Sequence, residues 1–268
     1  MIIPNMPEAI YHAHDEISKS GLWKFHTQTP AHFKFSVTQQ TPAMAMGSAI
    51  HTAVLEPHLY DQRYYEGPED RRGNAWKDAN NYALGVGKLC LTSGDYQMAQ
   101  RVAQSLHRDP LVKRIADNSM VEASAFWTDD ATGLGCRSRL DAYSPSLKLA
   151  VDLKSSVSAN PRDFAKSVAQ YGYHLQEFMY RTGWVAAGGG DVDAFVFIVV
   201  EKEPPFCHSI IELHPRAAAE GEAIFHTAMN RYAECKRTNI WPAYGSETHE
   251  VDLPKWAYQF TTEQEEAA

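Results

Sequence analysis

The chain has 268 residues, of which 44% are hydrophobic and 22% charged; this composition is typical of a globular protein and excludes a disordered one. Its formal net charge of −8 argues against a protein that coats nucleic acid or membrane through overall positive charge, but it is compatible with a local basic groove. No apolar run approaches the roughly 18 residues of a membrane-spanning helix.

The N-terminus and the cysteines indicate the compartment. The first residues contain no basic region followed by an apolar segment, so no secretory signal is expected. The four cysteines lie far apart and form no C-x-x-C pair, which argues against a zinc ribbon or an iron–sulfur site and favours reduced thiols. These features predict a cytoplasmic protein.

The N-terminal part is predicted to be mainly helical. Short helices with loops are expected over the first forty residues, and a further helix begins at Pro42 and is stopped by Pro57. Residues 60–73 are polar and read as irregular. Helical spacing then continues from Asn74 to Asn118, with a break where a threonine or serine can cap a new helix.

Strands are expected after Asn118, because alternating apolar residues and turn residues replace the helical pattern. Three strands are predicted in succession, over Val121–Thr128, Gly135–Tyr143 and Leu147–Lys154. They are followed by a long helix from Pro161 to about Val185, a buried strand over Ala194–Val200, and a final helix from about Arg216 to Arg237. This order predicts one α/β domain.

The sharpest group of candidate functional residues is Asp141 on the second strand with Asp152 and Lys154 on the third. Side chains alternate along a strand, so Asp152 and Lys154 point to the same face, and a hairpin can bring Asp141 alongside. Two carboxylates can hold a divalent cation through oxygen, while the ammonium can neutralise charge developing on a phosphate.

An isolated D-x-K sequence is most often a surface salt bridge, so the surroundings of Asp152 decide the interpretation. Asp152 lies in the apolar stretch LAVDL, where a carboxylate lowers stability unless it is paired or bound to a metal. The sequence therefore favours a buried functional site.

Four segments together resemble a known family. An acidic residue on one strand, D-x-K on the next and a following helix form the pattern of the PD-(D/E)xK nuclease superfamily. Residues 170–176 (QYGYHLQ) resemble the Gln/Tyr motif of its RecB-like branch, residues 47–57 (GSAIHTAVLEP) the helical histidine motif, and residues 126–143 the segment that leads into the first catalytic aspartate. With the opening stretch ISKSGLW, the chain resembles the RecE-type exonucleases (exodeoxyribonuclease VIII nuclease domain) of phages and prophages, over about residues 10–200.

The resemblance implies a fold and a metal site. The fold is an α/β nuclease core, a central mixed sheet flanked by helices, with helical additions at both ends. We expect one domain over residues 1–268, with its core at about 40–200 and a helical or irregular extension over 201–268. By resemblance, Mg²⁺ (Mn²⁺ is the alternative) is bound by Asp141, Asp152, the carbonyl of Leu153 and His51, and Lys154 is the catalytic lysine.

Three further residues are candidates with open alternatives. Glu122 occupies a position where related nucleases place an acidic residue near the metals; the alternative is an exposed carboxylate at a strand end. Arg137 and Arg139 share a strand face with Asp141 and are weak candidates for contacts with DNA phosphates; the alternative is a solvated strand face.

The predicted helix after the third strand carries Gln170, Tyr173 and Gln176. Because they are three residues apart, they cover an arc of about 120° on one side of a helix. By resemblance this side faces the active site, where Gln170 and Tyr173 assist catalysis and Gln176 is a weaker DNA-contacting candidate. The alternative is an ordinary amphipathic helix.

The resemblance implies an exodeoxyribonuclease that digests one strand of linear double-stranded DNA, 5′ to 3′, and leaves 3′ single-stranded tails for recombination by strand annealing. Its expected partners are double-stranded DNA ends, a RecT-type single-strand annealing protein and further copies of itself in a ring; no membrane is expected. Two alternatives remain: a structure-specific DNA endonuclease on the same scaffold, and a non-catalytic DNA-end-binding recombination module.

Overall fold

The computed structural model describes residues 1–36 and 41–258. The strands are β1 (Ile2–Ile3), β2 (Ile17–Ser18), β3 (Tyr64–Glu66), β4 (Leu89–Leu91), β5 (Met120–Thr128), β6 (Gly135–Ser144), β7 (Leu149–Ser156), β8 (Ala194–Glu201) and β9 (His208–Glu212). The helices are α1 (Glu8–Ala13), α2 (Lys19–Thr27), α3 (Pro30–Phe35), α4 (Pro42–Leu55), α5 (Pro57–Arg63), α6 (Gly73–Gly85), α7 (Ser93–Leu106), α8 (Pro110–Asn118), α9 (Pro161–Tyr171), α10 (Tyr173–Ala186) and α11 (Pro215–Thr238), followed by a 3₁₀ turn at Lys255–Ala257.

Within the described residues, seven strands form one mixed sheet in the order β1-β5-β6-β7-β8-β9, with β2 pairing in parallel to β6. The β5–β6–β7 strands are antiparallel neighbours, as short turns allow, whereas β7 and β8 are parallel. A parallel pair needs a crossover connection, and α9 and α10 supply it. β8 is a continuous apolar run because both of its faces are buried.

Helices cover both faces of this sheet. On one face, Ile50 of α4 and Ile115 of α8 join a core with Val151 of β7. On the other, Trp184 of α10 joins a second core with Phe197 of β8, and α2 and α11 pack against the outer side of α10. The predicted central mixed sheet flanked by helices is confirmed.

The structure confirms several boundaries predicted from the sequence. The helix that begins at Pro42 ends at Leu55, and Thr92 caps α7 by accepting a hydrogen bond from the Asp95 backbone N–H. The prediction of irregular structure over residues 60–73 was wrong in part. Pro57 begins a new helix as well as ending the previous one, and the buried Tyr64 belongs to the short strand β3, which pairs with β4.

The sheet extends beyond the interval predicted for the core, residues 40–200. β1 and β2 come from the first forty residues, and β9 lies in the segment 201–268 that was expected to be helical or irregular. β1 and β2 have two residues each, which is too short to show the alternation of a strand. β9 is a short strand, half exposed at the sheet edge, and therefore also lacks a strong sequence pattern. Residues 259–268 of the predicted extension lie outside the described residues.

The single long helix predicted after β7 is two helices. Gly172 adopts the left-handed conformation (φ +67°) between α9 and α10, and its N–H donates to the Val168 carbonyl as a helix cap. A Cβ atom at this position would lie 2.4 Å from the ring of Trp23. Gly172 is therefore required both by its backbone conformation and by close packing.

We expect Gly172→Ala to lower the free energy of unfolding by more than about 1 kcal/mol, because the new methyl group meets Trp23 and alanine disfavours a positive φ. Gly85→Ala is the matched control, since no heavy atom lies within 4 Å of a Cβ at that helical position and its φ is not positive. Urea denaturation measures both. Equal stability of the two variants would contradict this account of the α9–α10 break.

Among the described helices, none combines the length and the apolar character that crossing a lipid bilayer requires.

Candidate active site

The strand carboxylates lie where β6 and β7 stop pairing. The antiparallel ladder between these strands ends at Ala142 and Val151, whereas β7 continues alongside β8. Beyond that pair, the Leu153 backbone N–H donates to Asp141 Oδ2 at 2.7 Å, so the Asp141 side chain spans the gap between the strands. Asp152 is the β7 residue at this fork.

Three side chains from different elements form a group that can hold a metal ion. His51 of α4, Glu122 of β5 and Asp141 of β6 each offer a ligand atom, and these atoms lie within 4.8 Å of one another. His51 Nδ1 is 3.4 Å from Asp141 Oδ2. The group lines a cleft of about 550 Å³. Two carboxylates and one imidazole suit a divalent cation such as Mg²⁺ or Mn²⁺.

The charges within this group are strongly coupled. Burial alone would lower the pKa of His51, but the negative charge of Asp141 raises it to about 9. Burial alone would raise the pKa of Asp141, but the charge and hydrogen bond of His51 lower it. Burial and the charge of Asp141 raise the pKa of Glu122 to about 7. A bound cation would relieve the repulsion between the two carboxylates, so the residues present fit a metal.

Glu122 is half-buried and has a left-handed backbone conformation (φ +49°), which is uncommon for a residue with a side chain. Its Oε2 lies 4.0 Å from Arg139 Nη1. Glu122 is thus directed at the group of His51 and Asp141 and not at open solvent. Such a conformation costs energy of order 1–3 kcal/mol and persists where the surrounding structure imposes it.

Asp152 has a different environment from Asp141. Its side chain is 2% exposed, its Oδ2 lies 2.5 Å from Lys154 Nζ, and Gln176 Nε2 donates to its Oδ1. Burial raises the pKa of Asp152 to about 6, although the charge of Lys154 opposes the shift. The Lys154 ammonium also lies 4.7 Å from the centre of the Tyr173 ring. Asp152 is therefore buried, Lys154 is half-buried, and the two side chains are paired with each other.

Arg137 and Arg139 are half-buried, and their guanidinium groups bind groups of the protein itself. Arg139 also lines the cleft, so contact of these residues with DNA phosphates stays a prediction. The Arg139 guanidinium donates to the Met6 carbonyl at 2.8 Å and to Ser124 Oγ at 3.0 Å, and Arg137 donates to the His14 carbonyl. Both guanidinium groups lie over the ring of Tyr11, a helix-borne residue of the N-terminal segment. They hold that segment against β6, where it forms one wall of the cleft.

The predicted arc of Gln170, Tyr173 and Gln176 is not formed. Gln170 is exposed on α9, whereas the other two lie on α10, because Gly172 changes the chain direction between them. Tyr173 and Gln176 contact Lys154 and Asp152, as described above. Among the described residues, no hydrogen bond or ion pair links Gln170 to this site.

Tyr180 was not predicted from the sequence to lie near this site. It is four residues after Gln176 on α10, so the two side chains lie on the same side of the helix. Burial raises the pKa of Tyr180 well above its usual range, and the charges of Asp152 and Asp141 add to the shift. Its phenol therefore stays protonated and can act as a hydrogen-bond donor. The i,i+4 spacing was the available signal.

For Tyr180→Phe we expect DNA cleavage to slow by about fivefold with little change in stability, because the variant can no longer donate one hydrogen bond, worth about 1 kcal/mol, to a bound phosphate. Single-turnover rates on a duplex substrate measure the effect. Tyr82→Phe is the control, because Tyr82 is an exposed tyrosine on α6. An unchanged cleavage rate for Tyr180→Phe would show that the Tyr180 hydroxyl has no role in the reaction.

Metal affinity is expected to rise with pH. A metal ion requires ionised Glu122 and neutral His51, and both states are reached by losing a proton. Since the pKa values are about 7 for Glu122 and about 9 for His51, protons are released on both sides of neutrality. Affinity should rise by up to about tenfold per pH unit for each proton released.

Titration calorimetry with Mg²⁺ or Mn²⁺, in buffers of different ionisation enthalpy, counts these protons. About one proton released at pH 8, and more below pH 7, is the expected result. Metal binding that is independent of pH between 6 and 9 would contradict the assignment of His51 and Glu122 as ligands.

Comparison with known proteins gives a matching family and similar solved structures. A family model described as a PDDEXK-like domain of unknown function (DUF3799) matches residues 18–252. The chain is similar to a candidate exonuclease from Eubacterium rectale, with a TM-score of 0.66 and 15% identity over 96% of this chain and 99% of that chain. At this identity the likeness shows the fold alone.

A second solved structure, a phage-related exonuclease from Haemophilus somnus, has 13% identity over 86% of this chain and 99% of that chain, with a TM-score of 0.35. No curated protein is significantly similar in sequence to this chain.

Proposed function

The chain belongs to the family of PDDEXK-like domains, and from this membership we propose that it is a metal-dependent exodeoxyribonuclease. The family and the fold support a DNA nuclease. The observation that carries the proposal is the fork of β6 and β7, where Asp141, Asp152 and Lys154 meet His51. Carboxylates, an imidazole and a lysine at one sheet edge suit hydrolysis of a phosphodiester.

In the proposed mechanism His51, Glu122 and Asp141 would hold the cation, and Asp152 would supply a further carboxylate beside them. When bound, a divalent cation supplies Lewis-acid chemistry, polarising a phosphoryl oxygen and favouring deprotonation of an attacking water. Mg²⁺ is the expected ion and Mn²⁺ the substitute.

Lys154 supplies positive charge beside the reacting phosphate. Burial alone would lower its pKa, but the charges of Asp152 and Asp141 raise it, so the ammonium stays protonated. Tyr173 and Asp152 fix its position, and the hydrogen bond from Gln176 fixes Asp152 in turn. The ammonium is thereby placed in advance to stabilise the negative charge that develops during in-line attack.

The finer proposals follow from the RecE-type resemblance. The enzyme digests one strand of linear double-stranded DNA, 5′ to 3′, and leaves 3′ tails that a RecT-type annealing protein of a phage or prophage uses for recombination in the cytoplasm. Several copies assemble into a ring around the duplex, which reconciles continuous digestion with the net charge of −8.

End-labelled DNA tests strand and direction. The purified chain is incubated with a linear duplex labelled at one 5′ end, and separately with a closed circle, each with Mg²⁺. Early loss of the 5′ label with an intact circle is the expected result. A nicked or linearised circle would replace the proposal with an endonuclease. Binding to ends without cleavage, under several metals, would indicate a DNA-end-binding module.

A further inference from the structure

A second, smaller cleft adjoins Lys154 at the C-terminal end of β7. It measures about 260 Å³, and Lys154 and Lys202 line it together with hydroxyl groups. The serines are Ser155, Ser156 and Ser167. Among the described residues that line this cleft there is no carboxylate. The cleft therefore has the opposite electrostatic character to the acidic group at His51, Glu122 and Asp141.

A third lysine lies against the wall of this cleft. Lys19, the first residue of α2, donates from Nζ to the Tyr171 carbonyl at 2.5 Å and lies 5.3 Å from the centre of the Tyr173 ring. Tyr171 and Tyr173 both line the cleft. Because Lys154 is also in contact with the Tyr173 ring, two ammonium groups share one aromatic side chain.

Asp152 is the carboxylate next to this arrangement, and it is paired with only one of the three lysines. Within the described residues, neither Lys19 nor Lys202 forms an ion pair with a carboxylate, whereas Lys154 pairs with Asp152. Burial and the neighbouring charge of Lys154 lower the pKa of Lys19 to about 7. An anion bound beside these lysines would raise the pKa of Lys19 again, because it favours the charged ammonium. Ammonium and hydroxyl groups donate hydrogen bonds, and phosphate oxygens accept them.

The size of the cleft and its position beside Lys154 favour a single phosphate group of a DNA strand over a whole small-molecule ligand. About 260 Å³ is below the roughly 300–1,000 Å³ of pockets that enclose a whole small-molecule ligand. Lys154 lines this cleft and pairs with Asp152, whereas His51, Glu122 and Asp141 line the larger acidic cleft. A strand with one phosphate held at Lys154 can therefore place a neighbouring phosphate in the lysine cleft.

We infer that the cleft bounded by Lys19, Lys154 and Lys202 binds a phosphate of the DNA strand next to the one that is hydrolysed. This inference rests on the proposed nuclease function and adds a subsite to it. Lys19 and Lys202 contact the strand and keep it in register, and they take no part in bond breaking.

Equilibrium binding without metal tests the subsite separately from catalysis. Affinity for a fluorescent duplex is measured by anisotropy in EDTA over a range of salt concentrations. Each lysine–phosphate contact that is lost should reduce the slope of log affinity against log salt by about 0.9, or about 0.7 on a single strand. Lys19→Met should show one such reduction in slope. The double variant, Lys19→Met with Lys202→Met, should show a reduction about twice as large.

Two further variants separate charge from structure. Lys19→Arg keeps the charge and should retain most of the salt dependence. Lys148→Met is the matched control, because Lys148 pairs with Asp191 at the opposite end of β7, about 20 Å from Lys154 at 3.3 Å per residue. Its salt dependence should equal that of the wild type. If Lys19→Met unfolds, Lys202→Met alone serves as the test.

A duplex with a terminal phosphate and one with a terminal hydroxyl distinguish the sources of the phosphate. A reduced slope with both duplexes indicates an internal phosphodiester, and a reduction only with the phosphorylated duplex indicates a strand end; either supports the subsite. If the wild-type chain is an active nuclease but the folded Lys19 and Lys202 variants bind DNA with an unchanged salt dependence, the subsite is wrong and the proposed nuclease function stands. A wild-type chain that neither binds nor cleaves DNA would overturn the proposed function itself.

Discussion

Asp152→Asn is expected to reduce cleavage of double-stranded DNA by about 10³-fold or more, with the fold retained. The substitution removes the buried negative charge that the metal site and Lys154 both use, and loss of one such group typically costs 10²–10³-fold or more in rate. Asparagine keeps the shape of the side chain and an oxygen that can accept the hydrogen bond from Gln176. The measurement is the single-turnover rate in saturating Mg²⁺.

Asparagine is preferable to alanine at this position. The Asp152 carboxylate is 2.5 Å from Lys154 Nζ, so alanine would leave a largely buried ammonium with neither a charge partner nor a hydrogen-bond acceptor, at a cost in stability of several kcal/mol. Asparagine also removes the charge, but it keeps an amide oxygen that can accept a hydrogen bond, so the loss of stability is smaller. Asp191→Asn is the matched control, because Asp191 is an exposed aspartate paired with Lys148. It should cleave at the wild-type rate. Activity of the Asp152 variant within tenfold of wild type would refute the site.

Lys154→Met is expected to lower the cleavage rate by about 10²–10³-fold, because the ammonium no longer neutralises charge on the reacting phosphate. Methionine preserves much of the aliphatic volume against Tyr173. The variant also has a diagnostic pH dependence, since Lys154 holds down the pKa of Asp152, which burial otherwise raises.

The direction of that pH dependence follows from the charges. With Lys154 present, the pKa of Asp152 is about 6, and removing a neighbouring positive charge raises it further. The carboxylate is needed in its ionised form, so the residual rate should increase with pH over a range that begins above 6. Lys148→Met should show the wild-type profile. A flat profile for Lys154→Met would show that Asp152 and Lys154 do not interact as the structure indicates.

The strand-borne part of the site could be predicted because strand geometry is regular. Alternation along LAVDLK placed Asp152 and Lys154 on one face, and the short turn before β7 placed Asp141 on the neighbouring strand. The His51 prediction relied on a helical motif, and α4 does bring His51 to 3.4 Å from Asp141. Spacing within one element and pairing of sequential strands are local properties that a single sequence displays.

The remaining features depend on packing between distant segments. The left-handed Gly172 ends α9, so Gln170 lies on a different helix from Gln176. Tyr180, four residues after Gln176, is on the same side of α10 instead. The hydrogen bond from Arg137 to the His14 carbonyl could not be predicted, because nothing in the strand that carries Arg137 indicates it. Lys19 reaches Tyr171 across 152 residues of sequence, a contact for which no local pattern exists.

A metal-dependent nuclease site is tested most directly by nucleotide release from a uniformly labelled linear duplex by the wild-type chain, with Mg²⁺ and with EDTA. We expect release that requires the metal and is lost in Asp152→Asn. No release with either Mg²⁺ or Mn²⁺, or equal release in EDTA, would contradict the assignment of a metal-dependent nuclease site to the fork of β6 and β7.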